Sequence, residues 1–126
     1  MAWREYNPSP TKRLVGDCAV RAVAKALAVD WETAFAKLSA NAYQMGDMPS
    51  SDAVIGSVLR QNGFYRQAVS DDCPDCYTVA DFAVEHPIGT YVLFIGGHVV
   101  TVEDGDWYDT WNSGNEHPQY FWYRRE

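Results

Sequence analysis

The apolar pattern of this chain changes period at Pro87. Before it, hydrophobic residues recur mostly at helical spacing. After it, they run in short blocks rich in β-branched and aromatic residues, bounded by glycine. Helices first and antiparallel strands second predict an α+β fold, an N-terminal helical layer packed on a C-terminal antiparallel sheet. The 126 residues suit one domain spanning 1–126, with one core.

A first helix is expected from about Asp17 to Ala28, capped by Asp17, with Ala19, Val20, Val23, Ala26 and Leu27 in one apolar stripe. Asp30 caps a second helix that places Trp31, Ala34, Phe35, Leu38 and Ala42 on one face. After a loop from Gln44 to Pro49, Ser50 or Ser51 opens a third helix, closed by Gly63 just past its end. A short strand from Phe64 to Val69 and a turn from Asp71 to Asp75 follow. Thr78 then caps a fourth helix in a capping box with Asp81, and Pro87 stops it at His86. Strands are expected over Tyr91 to Ile95, Val99 to Glu103, Asp106 to Trp111 and Tyr120 to Arg124, with a hairpin turn at Asp104-Gly105. Residues 1–15 form an irregular arm, pinned by Trp3 and Tyr6.

Charge and composition narrow the function. A net charge of -7 opposes a nucleic-acid backbone or an anionic membrane surface as the main partner. The basic pairs Lys12-Arg13 and Arg124-Arg125 are read as solvated surface. At 47% hydrophobic the chain is too apolar for disorder, yet it has no apolar run long enough to cross a bilayer. The N-terminal residues Met-Ala-Trp-Arg-Glu-Tyr-Asn carry no apolar signal core. Three cysteines, an odd number, argue against a secreted disulfide framework, so a reducing, cytoplasmic setting is expected.

Cys18 stands where a loop ends and the alanine-rich first helix begins. A helix N-terminus favours the thiolate through its dipole and its unpaired N–H groups. His98 opens a strand far along the chain, and a histidine within reach of a thiolate can pair with it and later protonate a leaving group. The Cys18 backbone N–H is placed to donate to an oxyanion. The adjacent Asp17 opposes the thiolate, and Arg21, one turn on, partly offsets it.

A third member is open between Asp109 and Asn112. With a two-residue turn at Asp104-Gly105, His98 faces Trp111 and Asp109 lies diagonally on the same side. With a three-residue turn and a bulge, His98 faces Asn112. Either side chain can accept a ring N–H and orient the imidazole; the charge of Asp109 tips the reading slightly toward it.

Cys73-Pro74-Asp75-Cys76 has the spacing of half a zinc site or of a redox pair. His86 is a candidate further ligand, but no second such pair exists in the sequence. The expectation is therefore a turn, with no metal and no cofactor. The aromatic residues Trp107, Tyr108, Trp111, Tyr120, Trp122 and Tyr123 read mostly as core and sheet packing, with some lining a groove beside His98.

The segments Gly16-Asp17-Cys18, Gly97-His98-Val99-Val100-Thr101-Val102 and Tyr108-Asp109-Thr110-Trp111-Asn112-Ser113-Gly114, taken in order, resemble papain-like cysteine peptidases. The likeness is to compact bacterial and phage-encoded forms, including the bacteriocin-leader peptidase branch; Glu85 to Tyr91 is also similar to phage-type members. The resemblance implies a papain-like fold, acyl chemistry through a thioester, and a peptide or protein substrate. The family's glutamine upstream of the cysteine, which serves the oxyanion, has no counterpart in Thr11 to Val15, and Asn7 is the nearest upstream amide. The aromatic residue after the cysteine is absent too. A papain-fold binding module without catalysis and a transglutaminase-like thiol acyl-transferase stand as alternatives.

Overall fold

Apart from Cys18, Arg21 and Lys25, residues 18–27 are alanine, valine and leucine, good helix formers or apolar fillers, and they form α1 (Cys18–Leu27). The computed structural model to which these elements belong describes residues 1–69 and 76–124. Two more helices follow with the expected caps. The Asp30 side chain accepts from Thr33 N–H at the start of α2 (Trp31–Met45), and Ser51 accepts from Val54 N–H at the start of α3 (Asp52–Gln61). Thr78 and Asp81 form the reciprocal capping box of α4 (Val79–Glu85).

The strands are β1 (Trp3–Glu5), β2 (Phe64–Ala68), β3 (Thr90–Ile95), β4 (His98–Glu103), β5 (Asp106–Asp109) and β6 (Pro118–Arg124). They join in one sheet in the order β1-β5-β4-β3-β6-β2. The α+β layout stands, with two corrections. The N-terminal arm contributes β1, which runs parallel to β5 in the register Trp3 to Trp107, so the sheet is mixed rather than antiparallel throughout. The helices also do not form a single layer. Val92, Phe94, Val99 and Trp122 pack with α1, α2 and α3. Leu93, Ile95, Val100, Val102 and Phe121 instead pack with Val79, Phe82 and Ala83 of α4. Side chains alternate along a strand, so a strand buried on both faces must be apolar at every position. That is why residues 92–95 are an unbroken apolar run.

The β4–β5 hairpin fixes the register left open above. Glu103 pairs with Asp106 and Val102 with Trp107, so the turn is the two residues Asp104 and Gly105. Both have positive φ, 51° and 83°, the pattern of a type I′ turn. β5 ends at Asp109, two residues short of the expected Trp111. On α2, Phe35 is 43% exposed rather than buried with Leu38. Among the described residues, no helix is long and apolar enough to cross a membrane.

The two-faced sheet makes a direct prediction. Phe82 is 1% exposed and anchors the short α4. Phe82→Ala should lower stability by about 3–5 kcal/mol, read as a shift in the urea unfolding midpoint.

Candidate active site

Cys18 is the first residue of α1, and α1 lies across β4. Thr101 Oγ of β4, fully buried, donates to the Ala22 carbonyl at 2.7 Å and locks the helix in place. This docking brings the end of α1 to the start of β4, where His98 stands.

The imidazole is held on both sides. Its Nε2–H donates to Asp109 Oδ2 at 2.6 Å. The Cys18 thiol interacts with the same ring and with the Val99 backbone N–H, both of which favour its thiolate; with Nε2 taken by Asp109, Nδ1 is the ring nitrogen left to face it. Trp111 packs against the ring with centroids 5.1 Å apart.

Asp109 is 1% exposed and its carboxylate is fully engaged. Oδ2 also accepts from Ser113 Oγ at 2.9 Å, while Oδ1 accepts from Thr110 N–H at 2.8 Å and Arg21 Nη2 at 3.3 Å. The Asp109 carbonyl accepts from Tyr6 N–H at 2.9 Å and Trp3 Nε1 at 3.1 Å, so the arm pins the backbone of the same residue.

These contacts set the ionisation. Burial pushes the Cys18 thiol up, but hydrogen bonds with His98 and Val99 N–H, with the charges of His98 and Arg21, bring it below its usual value. Burial pushes His98 down, and the hydrogen bonds and charges of Asp109 and Cys18 more than reverse this, raising it to about 9. For Asp109 burial is likewise the largest influence and acts upward, yet the bond and charge of His98 and the donors Ser113 and Thr110 leave it lowered. The lowered thiol and the raised imidazole both shift in the direction of a thiolate–imidazolium pair, with the Asp109 carboxylate against the ring.

Of the residues singled out from sequence, Cys18, His98 and Asp109 come together. Asn112 does not join them. Its Oδ1 accepts from Trp107 Nε1 and Gly114 N–H, each at 3.0 Å, and braces the turn that carries Ser113. Asn7 is also placed elsewhere. Its Nδ2 donates to the Lys12 carbonyl and its Oδ1 accepts from Ser9 N–H, so the amide ties the arm's own loop. The Cys18 N–H is left as the oxyanion donor named from sequence. Asp17 occupies the N-cap position but makes no side-chain cap bond. Its carboxylate pairs with Arg21 Nη1 and accepts from Trp31 Nε1 at 3.0 Å.

Two participants were missed. Arg21 was read as a partial offset to Asp17, not as a bridge to Asp109; the available signal was a cation on an otherwise alanine-rich buried helix. Ser113, in the turn after β5, carries no distinguishing signal in the sequence. Cys76 is disulfide-bonded, which removes it as a thiolate metal ligand, and Cys73 lies outside the described residues. His86 Nδ1 bonds the Phe82 carbonyl at 2.9 Å, closing α4. Among the described residues, no cluster of three or more His, Cys, Asp or Glu side chains could hold a metal.

A cavity of about 310 Å³ opens beside the N-terminal end of α1, lined by Ala19, Val20, Trp31, Phe35 and Pro49 among others. Comparison with protein-family models, curated proteins and solved structures finds no match.

Two pH responses follow. Alkylation of Cys18 by iodoacetamide, followed by intact mass, should show a midpoint below the ordinary thiol range, and His98→Ala should move it upward. His98 gains proton affinity on folding, from 6.5 to about 9. Its contribution to stability is therefore complete below about pH 6.5 and fades as pH rises through about 9. The urea midpoint of the wild type should lose ground relative to His98→Gln across that window.

Proposed function

We propose that the protein is a cysteine-dependent amide hydrolase with a papain-like arrangement, acting on peptides through a thioester. The observation that carries this reading is the imidazole of His98, bonded to Asp109 through Nε2 and engaged with a helix-terminal thiol on its other side.

The chemistry follows from those contacts. The Cys18 thiolate attacks the substrate carbonyl carbon, forming a C–S bond, and the electron pair moves onto the oxygen. The Cys18 N–H at the helix end donates to that oxyanion. The proton on His98 passes to the leaving amine as the C–N bond breaks, leaving a thioester and a neutral imidazole held in place by Asp109. His98 then takes a proton from water, whose oxygen attacks the thioester. Collapse releases the carboxylic acid and restores the ion pair.

The cavity beside α1 supports an apolar substrate side chain. Trp31 and Phe35 pack 5.2 Å apart in its wall, and Asp17, the charged residue that also lines it, has its carboxylate occupied by Arg21 and Trp31. The helix is only about 10–12 Å across, so the cavity is within a few extended residues of the thiol.

A scanned set of chromogenic peptide anilides, with acid-quenched intact mass, tests the reading. Turnover should be accompanied by an acyl adduct on Cys18 that is missing in Cys18→Ala. His98→Ala should lower kcat/KM by about 10²–10⁴-fold. Peptides with an aromatic or branched residue should be preferred over glycine at one position by at least about tenfold. Unchanged turnover in Cys18→Ala would sink the proposal, and products formed on added methylamine in preference to water would move it to acyl transfer.

A further inference from the structure

We propose that Arg21 is a positioning residue that sets the charge state of Cys18 and the pose of His98 through the two carboxylates it holds. The proposal rests on the hydrolase reading above. Arg21 lies on α1 one turn beyond Cys18 and is 6% exposed. Its Nη1 pairs with Asp17 and its Nη2 lies 3.3 Å from Asp109 Oδ1. One buried cation thus joins the residue that precedes the thiol to the residue that orients the histidine.

Each end of the bridge has a consequence for the reacting groups. At Asp109, Arg21 and Thr110 N–H occupy Oδ1, which leaves Oδ2 to His98 and Ser113. The carboxylate is thereby fixed in rotation, and the imidazole with it. At Asp17, the ion pair neutralises a charge that stands next to Cys18 in the chain and opposes the thiolate. It also turns the carboxylate away from the first turn of α1, where an N-cap aspartate ordinarily accepts a backbone N–H.

Among the described residues, the ion pairs of Asp17 and of Asp109 with a guanidinium are both made by Arg21. Among the described residues, the titratable groups that interact with Arg21 are Asp17 just before its helix, Cys18 at the start of it, Asp109 on β5, which in turn holds His98 of β4, and Tyr6 on the arm. The Tyr6 phenol is pushed up to about 12, chiefly by burial, and stays neutral. Lys25, the next cation along α1, lies 3.6 Å from Glu103 and over the Tyr108 ring. The charge of Arg21 itself favours the Cys18 thiolate. A planar guanidinium can reach two carboxylates on different elements at once, whereas a lysine ammonium is a single point charge.

The pH midpoint of Cys18 alkylation by iodoacetamide separates positioning from bulk structure. It should be measured in wild type, Arg21→Lys, Arg21→Gln and Asp17→Asn/Arg21→Gln, with thermal melts to establish folding. Arg21→Gln should raise the midpoint by roughly one pH unit, and Arg21→Lys by less. Adding Asp17→Asn should bring it back down, because the unpaired carboxylate is gone. Should Arg21→Gln not fold, Arg21→Lys decides by the same midpoint. Folded Arg21 variants that titrate Cys18 at the wild-type midpoint, whatever their stability, would overturn the proposal. A wild-type midpoint in the ordinary thiol range would instead sink the hydrolase reading, so the two failures are distinct.

Discussion

The Asp109 carboxylate is where the separate parts of this molecule meet. It sits at the end of β5, 1% exposed, and takes bonds from β4 through His98, from α1 through Arg21, and from the following turn through Thr110 and Ser113. Its carbonyl is held by the arm through Tyr6 and Trp3. A buried carboxylate with fewer donors would protonate or pull the structure open to water. Here the cost of burial is met by partners from each neighbouring element, so the position of one side chain fixes the relative placement of all of them.

From that point charges alternate outward. Asp17, Arg21, Asp109, His98 and Cys18 form a chain of opposite neighbours, most of it nearly closed to solvent. In a buried network the pairs are worth little more than an apolar replacement, but the loss of one member leaves its neighbours uncompensated, typically at about 3–5 kcal/mol. The network therefore specifies one geometry more than it adds stability. Stability comes from the two apolar clusters on either face of the sheet.

Local signals were well expressed in the residues. The caps at Asp30, Ser51 and Thr78, the stop at Pro87 and the Asp104-Gly105 turn all depend on a few neighbouring residues, and all occur as expected. Signals that depend on distant residues were less legible. β1 is three residues long and exposed, and nothing in Trp3–Glu5 says that it pairs with β5. Asp17 has the identity of a cap, yet a stronger partner one turn along α1 and an indole from α2 take its carboxylate. Asn112 and Asp109 looked nearly equivalent because one residue of hairpin register separates them. The turn geometry chose Asp109 and left Asn112 to hold the loop behind it.

The sequence by itself determined the order of helices and strands, the thiol at a helix end and the histidine at a strand start, because periodicity, capping and turn chemistry act over a few residues. Only the tertiary structure decided that the sheet is mixed and covered on both faces, that Asp109 rather than Asn112 reaches His98, and that Arg21 bridges Asp17 to Asp109. Those outcomes turn on which carboxylate is buried beside which cation. Burial and charge pairing are properties of the packed chain, since they depend on elements brought together from opposite ends of the sequence.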